Sequence, residues 1–220
     1  MNFNSTIPEI NKKLENILII GSGGRENSLG WAIQKNELIK NIYLSPGNGG
    51  SEKIKKCIRI NLDITEKKDL IKNLKSLDID LVVIGPEIPL AAGLGDYLRK
   101  NDFDVFGPNQ DGAKLEYSKS WAKKFMKKAN IPTSKSWEID SLEEAEKIIN
   151  RSRDPLVVKA DGLASGKGVF IPKSKDECIE ATKEILNGKF GESGQVVVLE
   201  EKIQGPEVSI FALCDGEKYV

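Results

Sequence analysis

Short apolar runs alternate with amphipathic stretches along the first half of the chain. "NILIIG" (16–21), "NIYLS" (41–45), "CIRINL" (57–62), "DLVVIGP" (80–86) and "DVFGP" (104–108) predict strands. Between them, residues 26–35 suit a helix, 66–77 carry Leu70, Ile71, Leu74 and Leu77 at helical spacing, and 90–100 predict a third helix. Strand and helix alternating over short connections imply a parallel sheet covered on both faces. In such sheets ligands sit beyond the carboxyl ends of the strands. The Gly- or Pro-rich turns 21–24, 46–50 and 85–87 all fall at such ends, so together they mark a candidate site.

After "GPN" (107–109) the texture changes. Two helical stretches, 110–117 and 119–129, lead to "IPTSKSWEI", and "SLEEAEKIINR" (141–151) is a helix with Ser141 as N-cap and Glu144 completing a capping box. "PLVVKADGLASGKGVFIPK" (155–173) reads as strand, glycine loop, strand. A helix over 175–186, a strand over 195–203 and a strand over 208–220 that turns at Asp215-Gly216 follow.

Composition narrows the chemistry. The chain has 220 residues, 39% hydrophobic and 30% charged, which describes a globular protein with a buried core. Formal net charge is zero, so no global field recruits nucleic acid or an anionic membrane. No apolar stretch is long enough to span a bilayer, and residues 1–15 lack a signal core and read as an amino-terminal extension. Cys57, Cys178 and Cys214 are widely spaced without a CxxC pair, which points to a reducing cytoplasm. There is no histidine. That removes imidazole bases, Ser-His and Cys-His pairs and most transition-metal sites.

"GSGGREN" (21–27) opens a helix after a strand, like a dinucleotide-binding turn. The full fingerprint wants a third glycine where this chain has Glu26, and an acid about 20 residues on, where it has "NIYLSPGNGG". In "KADGLASGKG" (159–168), Lys159 precedes and Lys167 lies inside a loop holding Gly162, Ser165, Gly166 and Gly168. Glycines let backbone N–H groups turn towards a phosphate, and lysines neutralise it. The spacing is not that of a P-loop, since Gly162 and Gly166 are too close and Gly168 follows Lys167. A hairpin with solvated lysines fits the same local pattern. "VVVLEEKIQGPEVSI" (196–210) ends a strand in Glu200 and Glu201, with Glu207 beyond. These are either solvated acids at a strand edge or a purine hinge.

From Asn16 to Val220 these motifs, in this order, resemble the amino-terminal half of the phosphoribosylamine–glycine ligases (glycinamide ribonucleotide synthetases), ATP-grasp enzymes of purine biosynthesis. The resemblance rests on "IIGSGGREN", "SPGNGG", "VVIGPEIPLAAGLGD", "FGPN", "LEYSKSWAKKFM", "IPT", "VVKADGLASGKGV" and "EEKIQGPEVS". It implies a reaction of ATP, glycine and 5-phosphoribosylamine through a glycyl phosphate to glycinamide ribonucleotide, ADP and phosphate. It further implies that Lys119, Lys159 and the loop 162–168 with Lys167 meet ATP phosphates. Glu200, Glu201, Ile203 and Glu207 would take adenine and ribose. Gly23, Gly24, Arg25 and Glu26 would meet the phosphoribosyl substrate, with Asn48, Gly85 and Glu87 nearby. Mg²⁺ or Mn²⁺ would accompany ATP, with no metal ligand inside this chain. A monomer is implied for the full-length enzyme.

Two positions depart from the family's pattern: Asn27 stands where "GGREH" is usual, and Lys202 where an aromatic side chain is usual. The implied fold is α/β: a parallel-sheet substrate domain (16–109), connecting helices (110–130), an α+β ATP-grasp lobe (131–207) and the start of a second lobe (208–220). The match stops inside the ATP-grasp domain, so the sequence reads as a truncated, inactive piece with a bare strand edge. The rival readings are a nicotinamide-dependent oxidoreductase using the first turn, and a non-catalytic nucleotide-binding module.

Overall fold

The computed structural model describes residues 14–164, 167–191 and 195–220. Contacts divide the chain into two units that meet between Ser118 and Lys119. This boundary falls inside the segment 110–130 that reads from sequence as a connector. The helices on its two sides bury their alanines in different units, Ala113 in the first and Ala122 in the second.

In the first unit β1 (Asn16–Gly21), β2 (Asn41–Pro46), β3 (Cys57–Arg59), β4 (Leu81–Ile84) and β5 (Asp104–Phe106) form one parallel sheet ordered β3-β2-β1-β4-β5. Alternation along β1 splits its apolar run between two cores. Ile17 and Ile19 join Ile42 and Leu44 against Leu29 and Ile33 of α1 (Gly24–Ile33). Leu18 and Ile20 join Val82 and Ile84 on the other face, against Leu70 and Leu74 of α2 (Lys67–Ser76). Each fully buried Leu or Ile contributes roughly 1.5–3 kcal/mol, so covering both faces is what allows β1 to be apolar throughout. The order reverses beside β1, which places the open crevice between the carboxyl ends of β1 and β4.

The predicted helix over 90–100 is two helices, α3 (Glu87–Ala91) and α4 (Leu94–Arg99). Gly93 separates them at φ +74°, a left-handed conformation that stops one helix before the next begins. The helix expected over 26–35 starts at Gly24, and the third strand ends at Arg59 instead of residue 62. α5 (Gln110–Tyr117) is capped by Asn109, whose Oδ1 accepts from Gly112 N–H.

The second unit opens with α6 (Lys119–Lys128). Its antiparallel sheet is ordered β6-β9-β7-β8, from β6 (Ser136–Ile139), β7 (Val157–Ala160), β8 (Val169–Phe170) and β9 (Val197–Glu200). α7 (Leu142–Arg151) and α8 (Lys175–Glu184) bury Ala145, Ile149, Cys178 and Ala181 against Val158, Ala160, Val197 and Leu199. Ser141 caps α7, accepting from Glu144 N–H at 3.4 Å.

The strand expected over 208–220 does not form. Residues 201–220 are exposed and hold one isolated bridge, Cys214 to Tyr219. The predicted turn is there, with Glu217 and Lys218 N–H donating to Asp215 Oδ1. A strand needs a neighbour to take its backbone groups, and here Ile210 and Phe211 are about nine-tenths exposed (90% and 91%).

Candidate functional site

The crevice predicted by strand order is occupied by a cavity of about 530 Å³, lined by Gly21–Glu26, Ser45, Pro46, Pro86 and Glu87 among others. Glu26 builds its wall. The side chain is buried, and its carboxylate accepts from Gly23 N–H at 2.6 Å, closing the first turn of α1. The carboxyl lies between two glycines. A Cβ at Gly21 would fall 2.6 Å from Glu26 Cδ, and one at Gly85 2.7 Å from the same atom. Glu26 thus takes the place of the third fingerprint glycine and shapes the turn from inside.

Arg25 is exposed on the other side of the turn. Its Nη1 donates to Gly85 O at 2.9 Å and to Glu87 Oε1 at 3.3 Å, tying β1's turn to β4's. The first intrahelical bond runs from Asn27 N–H to Gly23 O, so the amides of Gly24 and Arg25 have no carbonyl inside the helix. A Cβ at Gly24 would meet nothing within 4 Å. A helix start with open space in front of it and a guanidinium beside it suits an anion, with about 0.3–1 kcal/mol from the helix end.

Asn48 holds the turn 46–50 in place. Its Nδ2 donates to Ser22 O at 2.7 Å, and its Oδ1 accepts from Gly50 N–H and from Asn27 Nδ2, both at 2.8 Å. Asn27 Oδ1 accepts from Ser51 Oγ at 2.7 Å. Asn27 therefore works as a neutral donor and acceptor between two loops. Asn27→Ala is expected to cost about 1–2 kcal/mol through these two lost bonds, read as a lower urea midpoint for the first unit. An unchanged midpoint would show that the loops hold together without it.

In the second unit, α6 faces the sheet with lysines one turn apart. Lys119 Nζ donates to Gly162 O at 3.1 Å, and Ser120 donates to Asp161 through both N–H (3.1 Å) and Oγ (2.7 Å). Lys123 lies four residues after Lys119 and reaches Glu200 Oε2 at 3.0 Å, while Lys159 reaches Glu200 Oε1 at 2.9 Å. Ser134 Oγ donates to the same carboxylate at 2.8 Å. Burial works against the charge on Glu200, and hydrogen bonds from Lys159, Ser134 and Lys123 outweigh it, so the carboxyl titrates below the usual carboxylate range.

Lys119, Lys159, Gly162 and Glu200 thus come together. Gly162 takes φ +84°, and Gly168 admits no side chain, since a Cβ there would fall 2.6 Å from Ala164 Cβ. Lys167 is exposed, and Ser165 and Gly166 lie outside the described residues. Glu201 N–H donates to Lys135 O, but its side chain is exposed, as are Lys202, Ile203 and Glu207. The last three lie in the extended segment beyond β9. Sequence reading misses Lys123, Ser134 and Asp161. The i,i+4 spacing of Lys119 and Lys123 was the available signal for the first, whereas Ser134 joins only through tertiary contact.

Among the described residues no group of three or more His, Cys, Asp or Glu side chains is placed to hold a metal ion.

The amino-terminal unit and the lysine cluster both correspond to known models. The N domain of phosphoribosylglycinamide synthetase matches residues 15–116, and the ATP-grasp (A) domain of the same enzyme matches 117–220. The chain belongs to the phosphoribosylglycinamide synthetase family. It is 40% identical over 200 residues to a phosphoribosylamine–glycine ligase of Nostoc sp., covering 91% of this chain and 47% of that one. It is 42% identical over 209 residues to the Clostridium acetobutylicum enzyme of that name, covering 93% and 49%. The crystal structure of the Thermotoga maritima phosphoribosylamine–glycine ligase superposes with a TM-score of 0.74 at 33% identity, over 93% of this chain and 48% of that one. The chain spans about half the length of these relatives. The family membership sets aside the nicotinamide reading, in line with Glu26 standing where that fingerprint needs glycine.

Proposed function

We propose that the chain carries the phosphoribosylamine and ATP sites of a ligase that joins glycine to 5-phosphoribosylamine, giving glycinamide ribonucleotide, ADP and phosphate. The continuous family match from residue 15 to 220 carries this reading. The glycine carboxylate oxygen attacks the γ-phosphorus and ADP leaves. The amine nitrogen of phosphoribosylamine then attacks the acyl carbon, the phosphate leaves, and the nitrogen loses a proton. Neither step needs a histidine; both need charge neutralisation and alignment.

In this reading Gly24, Arg25 and the start of α1 take the sugar phosphate, and Glu87 accepts from a hydroxyl or the amine. Gly23 and Glu26 set the turn, and Asn48 and Gly85 hold it against its neighbours. Lys119, Lys159 and the 162–168 loop with Lys167 take the ATP phosphates, and Glu201, Ile203 and Glu207 lie along the nucleotide's adenine and ribose. Mg²⁺ or Mn²⁺ arrives with ATP. The whole enzyme is expected to act on small molecules as a cytoplasmic monomer. Zero net charge favours no nucleic-acid or membrane partner, the three cysteines are free thiols, and no helix among the described residues is long and apolar enough to cross a membrane.

The test is ligand-dependent melting. Ribose 5-phosphate, a stable stand-in for the amine, is expected to stabilise the first unit and Mg·ATP the second, by about 2.7 kcal/mol at a hundredfold excess over Kd. Arg25→Ala and Lys159→Ala should each abolish one response and leave the other. ADP release that requires ATP, glycine and phosphoribosylamine together is the activity assigned to the whole enzyme. Melting indifferent to both ligands would overturn the reading.

A further inference from the structure

Glu200 was expected to face the nucleotide, yet both of its carboxylate oxygens are engaged inside the lobe. Oε1 meets Lys159, and Oε2 meets Lys123 and Ser134 Oγ. One negative charge thus serves two ammonium groups, and those two groups are not equivalent.

Lys123 is committed inward. Its side chain is 12% exposed, and its Nζ reaches Thr133 Oγ1 at 2.7 Å, Ser134 Oγ at 2.7 Å and Glu200 Oε2 at 3.0 Å. An ammonium has three donors, and four acceptors surround this one, Ser134 O at 3.3 Å being the fourth. Lys159 is 26% exposed and meets the protein only through Glu200 among the described contacts. Two of its donors are therefore open to a ligand. It also stands on β7 just before the glycine loop, two residues from Asp161, which Ser120 of α6 holds.

We propose that Lys123 is a positioning residue of the nucleotide site, holding Glu200 so that Lys159 is released to a phosphate. The inference rests on the reading of Lys159 as a phosphate ligand. The physical argument is competition for one carboxylate. With Lys123 present, Glu200 keeps a counter-charge and a serine hydroxyl when Lys159 turns outward, so no buried anion is left unpaired. Without Lys123, Lys159 is the only cation left to Glu200 and is retained by it. The local charge also falls by one, which weakens attraction for any polyanion.

Two measurements test this on the 220-residue chain. The first is ATP affinity by calorimetry, with Lys123→Met expected to bind at least tenfold more weakly than wild type. Lys123→Arg keeps the charge and should stay within about threefold. The double variant Lys123→Met/Glu200→Gln removes the competing carboxylate and should regain threefold or more of the lost affinity. A purely structural role for Lys123 predicts that the second change makes matters worse.

The second measurement reads Lys159 without any nucleotide, as its rate of acylation by an amine-selective reagent, resolved by peptide mass spectrometry across pH 7–10. Retention in the charge-assisted pair with Glu200 turns Nζ away from the reagent. Lys159 should therefore react at least threefold more slowly in Lys123→Met and recover in the double variant. Melting curves on the same samples confirm that each variant is folded. Unchanged Lys159 reactivity in folded Lys123→Met, or wild-type ATP affinity in that variant, overturns the inference. Absent ATP binding by the wild type with the predicted reactivity change overturns only the nucleotide reading and leaves the charge competition standing.

Discussion

Gly85→Ala is expected to destabilise the first unit by about 1–3 kcal/mol through overpacking, and by about 0.5–2 kcal/mol more through a lost helix cap. The added methyl would lie 2.7 Å from Glu26 Cδ and 2.8 Å from Cγ. Glu26 has no easy retreat, because it already fills the space beside Gly21, where a Cβ would fall 2.6 Å from its Cδ. The carboxylate must leave Gly23 N–H, opening the turn that lines the cavity. Ribose 5-phosphate affinity should fall at least tenfold with it. Gly24→Ala is the matched control, since its methyl meets nothing within 4 Å. Its stability should stay within about 0.5 kcal/mol of wild type, or rise slightly as alanine replaces glycine in a helix, while ligand affinity falls. Equal melting temperatures for Gly85→Ala and Gly24→Ala would show that Glu26 adapts, and that the two-glycine slot is not what fixes the turn.

The contrast between those glycines shows what the sequence could and could not carry. Apolar runs with turns at their ends were enough to read a parallel sheet and to point to a candidate site at one edge. They stand on period and on strand length, which are local properties. The three turns 21–24, 46–50 and 85–87 do converge, through Arg25 to Gly85 and Glu87 and through Asn48 to Ser22. The inward role of Glu26 was not legible, because a charged residue in a glycine turn reads as solvated or ligand-facing until the space between Gly21 and Gly85 is known. Glu200 shows the same limit. Its position at a strand end pointed to a ligand, whereas its partners Lys123 and Ser134 lie 77 and 66 residues away in sequence. Side-chain pairing over such separations leaves no periodic trace. The overreach ran the other way over 208–220, where alternating apolar residues read as a strand but the described residues form only the isolated Cys214–Tyr219 bridge.

Glu200→Ala should produce the largest loss of stability, about 3–5 kcal/mol in the second unit, because removing the anion leaves Lys123 buried without a counter-charge. At roughly 4–8 °C per kcal/mol for a unit of this size, the transition should move down by about 12 °C or more. Glu200→Gln separates charge from shape, since the amide still accepts from Ser134 while the charge is gone. The acid limb of the stability profile gives the sign. Glu200's folded pKa is depressed, so its stabilisation is fully present above the ordinary carboxylate value of about 4.3 and is lost as pH falls through the lower folded value. Wild type should therefore lose stability on acidification below about pH 5 more steeply than Glu200→Gln. Parallel acid limbs for the two proteins would mean that the cluster contributes geometry and no net ionic stabilisation. Desolvation would then balance the two lysines, and the shape of the lobe would rest on the apolar face beneath α7 and α8 alone. A steeper wild-type limb places the ionic triad among the forces that hold β9 against α6, and makes the stability of the lobe and the readiness of Lys159 two consequences of one carboxylate.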